Sequence, residues 1–170
     1  DSNYHQTGNL TASFDGAEPI EIFRWESDPS SVNFKPDTST NETILLDLHI
    51  PKGAANVVLT FGLFDAGNDW WWAIDNLEVS GLPRENVLAF YEDFEGLELG
   101  PNVDEQLAGD EVWTDTPPDG WTIDESGIAG IGDPATDGVT EWAGWAFADK
   151  SWWTETAEDQ NRSQFALASG

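Results

Sequence analysis

The chain has 170 residues, enough for one domain with a sizeable core, and its 33 acidic against 6 basic side chains set a formal charge of -27. A field of that sign makes nucleic acid and anionic membranes poor partners. With 0 Cys and 0 Met there is no disulfide framework, no thiolate site and no thioether for a soft metal, while 10 Trp and 9 Phe supply the area a folded core needs.

The acids are unevenly placed: Glu85 to Asp149 carries many of them and no Lys or Arg. Repulsion on that scale is relieved by a salty medium or by divalent cations. Two compatible expectations follow, a surface protein of a marine or salt-adapted organism whose acids are solvation, and an extracellular calcium protein. No apolar run approaches the roughly 20 residues that span a bilayer, so no membrane insertion is expected. The residues from Asp1 do not read as a signal peptide, and a secreted protein would be seen here as a mature or excised segment.

In chain order, Leu10–Phe14 and Pro19–Trp25 read as a hairpin around Asp15-Gly16. In Thr43–Ile50 the apolar Ile44, Leu46, Leu48 and Ile50 fall on one face and Thr43, Asp47 and His49 on the other, with Leu45 the exception, which is the period of a half-buried strand. A Pro51-Lys52-Gly53 turn leads to Asn56–Phe64, apolar on both faces and expected to be a central strand; Trp71–Val79 is a third.

From Glu95 to Asp149 the chain is rich in Gly, Pro, Asp and Thr, with Trp113, Trp121, Trp142 and Trp145 spaced as though each pinned a loop. Asp149–Asp159 is the one helical stretch, short, with Asp149 or Ser151 as N-cap, and Ser163–Ala168 reads as a last strand. The pattern predicts an all-β fold, an antiparallel sandwich with long Trp- and Asp-rich loops and at most one short helix.

Two short motifs carry a resemblance. Trp71–Gly81, WWAIDNLEVSG, resembles the closing strand of MAM-like and related jelly-roll (concanavalin-like) modules, and Tyr91–Gly96, YEDFEG, with Gly120-Trp121 downstream, resembles their opening strand. Thr140–Arg162 is similar to a segment of such modules in secreted proteins of aquatic bacteria. The resemblance implies a jelly-roll sandwich, yet the closing motif precedes the opening one and the usual MAM cysteines are absent. Three explanations fit that order: a permuted single sandwich over 1–170, with 1–81 as closing half, 82–89 as joining loop and 90–170 as opening half; a segment cut across a module boundary; or a subunit whose incomplete halves are completed by neighbouring chains. The first is preferred, because one closed core of this length is easier to stabilise than two halves.

The resemblance also implies an ion, often calcium, where the first and last strands lie side by side. Asp93 and Glu95 would then meet Asp75 and Asn68 or Asp69, a set of hard oxygens that suits calcium, although in so acidic a chain near pairs of Asp also arise by chance. A second candidate is the Gly-rich acidic loop Gly132–Gly138, with Asp133, Asp137 and, downstream, Glu141; the competing expectation is a loop held by Asp side chains bonding their own backbone. Ten indoles are hard to bury in a chain of this size, so Trp70 or Trp72, and Trp152 or Trp153, are candidates for stacking on a sugar ring or for covering core edges against a neighbouring subunit.

His5 and His49 are too few for a zinc site, no Ser lies in a nucleophile elbow, and no carboxylate pair stands out as an acid and base, so no catalysis is expected. Sequons at Asn9, Asn41 and Asn161 carry little weight in the bacterial protein that the resemblance implies. The expectation is a calcium-stabilised extracellular or cell-surface module for binding or adhesion, with glycan as ligand. Its alternatives are a filament or surface-layer subunit that shares strands with neighbouring copies, and an accessory module of a secreted hydrolase.

Overall fold

A computed structural model describes residues 5–36, 42–66, 71–81, 88–104, 109, 111–128, 130, 132–133, 139–149, 152 and 165–169. Among these the fold is all-β with antiparallel sheets and a single 3-10 turn, Thr140–Trp142. The chain divides into two compact units, residues 1–70 with Gly170, and residues 71–169.

The first unit is a three-stranded sheet in the order β2-β1-β3, built from β1 (Thr7–Phe14), β2 (Ile20–Glu26) and β3 (Val57–Phe64). The expected hairpin is present. Asp15 and Gly16 both take positive φ, 49° and 78°, and the Ala17 N–H donates to Phe14 O at 2.9 Å, which is the twist a two-stranded ribbon needs at its turn. Leu10, Ala12 and Phe14 alternate along β1 and are buried.

Asn56–Phe64 corrects the expectation of a central strand. Among the described residues β1 occupies the middle, and β3 pairs with it from Thr7↔Phe64 to Phe14↔Val57 while standing at the edge of the sheet. Its apolar pattern is therefore only half used. Thr43–Ile50 is a second correction: residues 42–50 join no sheet despite their strand period. Tertiary pairing, not local propensity, decides whether such a segment becomes a strand.

The Asp15 carboxylate ties the turn to the entry of β3. It accepts the Asn56 N–H at 2.9 Å and the Ala55 N–H at 3.1 Å. These backbone bonds, with the Asn56 side chain, hold its pKa below the ordinary 3.8. A depressed carboxylate contributes stability above its unfolded pKa and loses it as pH falls through the folded one. Asp15→Asn is accordingly expected to be less stable than the parent at pH 7. The gap should narrow below about pH 4, read by thermal melts across pH; a constant gap would show that the charge is irrelevant there.

The second unit has two sheets. One is five-stranded, in the order β4 (Trp71–Ile74), β10 (Phe165–Ser169), β9 (Gly144–Ala148), β8 (Glu111–Thr114) and β7 (Gly100–Pro101). The other pairs β5 (Leu77–Ser80) with β6 (Leu88–Glu92). Trp71–Val79 is thus two strands, because the chain leaves the larger sheet at Asp75-Asn76, where Asn76 has φ 51°.

The expected last strand is present as β10, which pairs with β4 and β9. The stretch expected to be loose instead supplies β7, β8 and β9. Its aromatic residues pack as a row: Trp121 lies 6.3 Å from Phe90 and 5.5 Å from Phe94, and Phe94 lies 5.5 Å from Phe147 of β9. That row joins the two-stranded sheet to the larger one. Of the expected helix, Asp149 Oδ1 accepts the Trp152 N–H at 3.0 Å, as an N-cap does, and 153–159 lies outside the described residues.

Candidate functional site

The closing and opening motifs lie side by side. β5 and β6 pair antiparallel from Leu77↔Glu92 through Glu78↔Tyr91 to Val79↔Phe90, with a register shift before Ser80↔Leu88. This register sets Tyr91 against the Asp75-Asn76 corner. Its hydroxyl donates to Asn76 Oδ1 at 2.8 Å, and Asp93 is a second acceptor beside it.

Partial desolvation, then the charges of Asp93 and Asp75, push the Tyr91 pKa above the ordinary 10.0, because a phenolate there would face two carboxylates. Asp93→Asn is expected to bring Tyr91 ionisation back toward the ordinary range. Tyrosine absorbance through an alkaline titration reads this directly, since the chain has only 2 Tyr. An unchanged curve would separate Asp93 from Tyr91.

Of the residues expected to hold calcium, the structure therefore brings Asp75 and Asp93 to one place, around Tyr91. Asp93 also has a backbone duty, its Oδ1 accepting the Glu95 N–H at 3.2 Å across Phe94, whose φ is 59°. Glu95 faces a small pocket with Asp93, Leu97, Phe147 and Asp149. Asn68 and Asp69 lie outside the described residues. Among the described residues no three of His, Cys, Asp and Glu gather in a group able to hold a metal.

In the second candidate loop, Asp133 is exposed and Asp137 lies outside the described residues. Glu141 does other work: 2 % exposed, its Oε1 accepts the Asp104 N–H at 2.8 Å and also the Val103 N–H. The Asp104 carboxylate accepts the Thr140 N–H at 3.2 Å in return, so the two acids lock the chain after β7 onto the 3-10 turn. Nothing in the sequence marks this exchange, because the partners stand 36 to 38 residues apart.

Of the tryptophans expected to stack on a ligand, Trp152 is 4 % exposed and packs with Trp113 and Ala146, which makes it a core residue. Trp72 is half-buried, its ring 6.3 Å from that of Trp145. Trp70 and Trp153 lie outside the described residues. Buried Trp113 donates its indole N–H to Pro101 O at 3.0 Å, closing β7 onto β8.

The first unit leaves several apolar side chains exposed. Leu45 is 92 % exposed and Ile50 62 %, with Ile44 and Leu46 also exposed, and Val58 on β3 is 60 % exposed. No family model, no curated protein and no solved structure matches this chain.

Proposed function

We propose that this chain is a non-catalytic extracellular module whose work is contact, and that it makes this contact with other copies of itself as a strand-sharing subunit of a filament or surface layer. One observation carries the reading: Thr43–Ile50 has the apolar alternation of a strand, belongs to no sheet among the described residues and leaves Ile44, Leu45, Leu46 and Ile50 exposed, with Leu48 half-buried. Covering apolar surface is worth roughly 25 cal/mol per Å², so the exposed parts of Leu45 and Ile50 would contribute most to association. In this reading a MAM-like jelly-roll sandwich is completed across chains by Thr43–Ile50, while the two motifs pair within one chain as β5 and β6.

Glycan binding is the second reading, and Trp72 beside Trp145 is the observation that favours it. Calcium is the cation proposed for the Asp75 and Asp93 corner. Its expected role is to quiet two like charges rather than to take part in a reaction.

Size-exclusion chromatography with light scattering tests the first reading, run over a range of protein concentrations in calcium and then in chelator. Species larger than the 18.7 kDa monomer, growing with concentration, are expected. A monomer under every condition, with Trp emission that responds to a glycan, would replace assembly by ligand binding.

A further inference from the structure

The two edges of the first sheet differ in a way that selects a docking place. β2 carries Glu21, Arg24 and Glu26, with Arg24 Nη1 3.1 Å from Glu21 and Nε 2.7 Å from Glu26. Its pairing with β1 slips between Leu10 and Thr11, and its end is already engaged, since the Glu26 N–H donates to Asn33 O at 3.0 Å and the Lys35 N–H to Glu26 O at 2.8 Å. Charge, a bulge and covering backbone are how proteins close an edge.

Among the described residues β3 shows none of these devices. VVLTFGLF contains no charged residue and no Pro, pairs with β1 in unbroken register over its whole length, and has β1 as its one strand neighbour among the described residues.

We infer that the edge of β3, which has no second strand beside it among the described residues, accepts Thr43–Ile50 from a second copy of this chain as an added strand. The inference rests on the assembly reading above and names its partner surfaces. Three observations choose a second copy. The lengths match, since both segments are eight residues, which gives a full ladder. Charge agrees: two chains of -27 repel, and these are among the stretches poorest in acid, with Asp47 the only carboxylate in either. Within one copy, the Asp15 carboxylate fixes Ala55 and Asn56 at the entry to β3, and residues 42–50 do not turn back onto that strand. A strand added at that edge leaves the β1–β3 ladder in place.

The test uses two variants of the full chain, Val58→Lys to charge the acceptor edge and Leu46→Asp with Leu48→Asp to spoil the donor. Each alone is expected to sediment as a monomer with a melting temperature near the parent's. Mixed at equal concentration they should form a dimer that grows no further, because one good edge and one good donor remain.

A peptide of residues 42–50 added to the parent chain provides a measure free of any folding defect, and should cap assemblies at one peptide per chain. Raising salt should strengthen association of the parent by screening the acids. Assembly of both variants as in the parent, with no effect of the peptide, would overturn this pairing and leave assembly itself standing. A parent chain that is monomeric at all concentrations would overturn both.

Discussion

Glu141→Ala is expected to cost about 3 kcal/mol, because one buried carboxylate satisfies two backbone N–H groups at once. Glu141 is 2 % exposed and accepts from Val103 and Asp104, so truncation leaves two donors facing a site that water enters poorly. The loss corresponds to a fall in melting temperature of roughly ten degrees or more for a unit of this size.

Glu141→Gln preserves the accepting oxygen and the shape, and should cost about 1 kcal/mol, the difference between a charged and a neutral acceptor. Thermal or denaturant unfolding of both variants decides the matter. Equal losses would mean that the charge rather than the acceptor holds the loop, and no loss in either would remove Glu141 from the stability of the unit.

Gly144→Ala should cost about 2–4 kcal/mol, from two separable sources. Gly144 has φ 80°, where a Cβ costs about 1–2 kcal/mol. A Cβ there would also collide with the Glu125 carboxylate, whose Oε1 accepts the Trp145 N–H at 2.6 Å at the start of β9. The collision and the backbone strain can be told apart. Glu125→Ala alone should lose about 1 kcal/mol with its hydrogen bond, and the double variant should be more stable than the sum of the singles predicts, since the steric part vanishes. Strict additivity would place the whole effect in the backbone.

Both positions bear on the proposed function only indirectly, because they hold the second unit while the sharing surfaces lie in the first. That separation is useful. A variant at Glu141 or Gly144 that melts early yet still assembles would show that the strand-bearing unit acts without a fully stable second one.

What the amino-acid order determined by itself was local. The Asp15-Gly16 hairpin was legible because few residues besides Gly, Asn and Asp enter a turn with two positive φ values. The final strand, the all-β character and the Asp149 cap follow likewise from period and capping chemistry. The pairing of β5 with β6 brings Asp75 and Asp93 to Tyr91.

Tertiary structure alone decided which strand stands in the middle of a sheet. Val57–Phe64 is apolar enough for a central place, but β1 took it, because hydrogen bonding to two neighbours is a property of position and not of composition. The same holds for Thr43–Ile50, whose period describes a strand and cannot supply the partner a strand requires. Glu141 and Trp152 were invisible for a related reason: a buried acid and a buried indole look in sequence like exposed ones, and only contacts from distant parts of the chain, Val103 and Asp104 for one and Trp113 with Ala146 for the other, remove them from water.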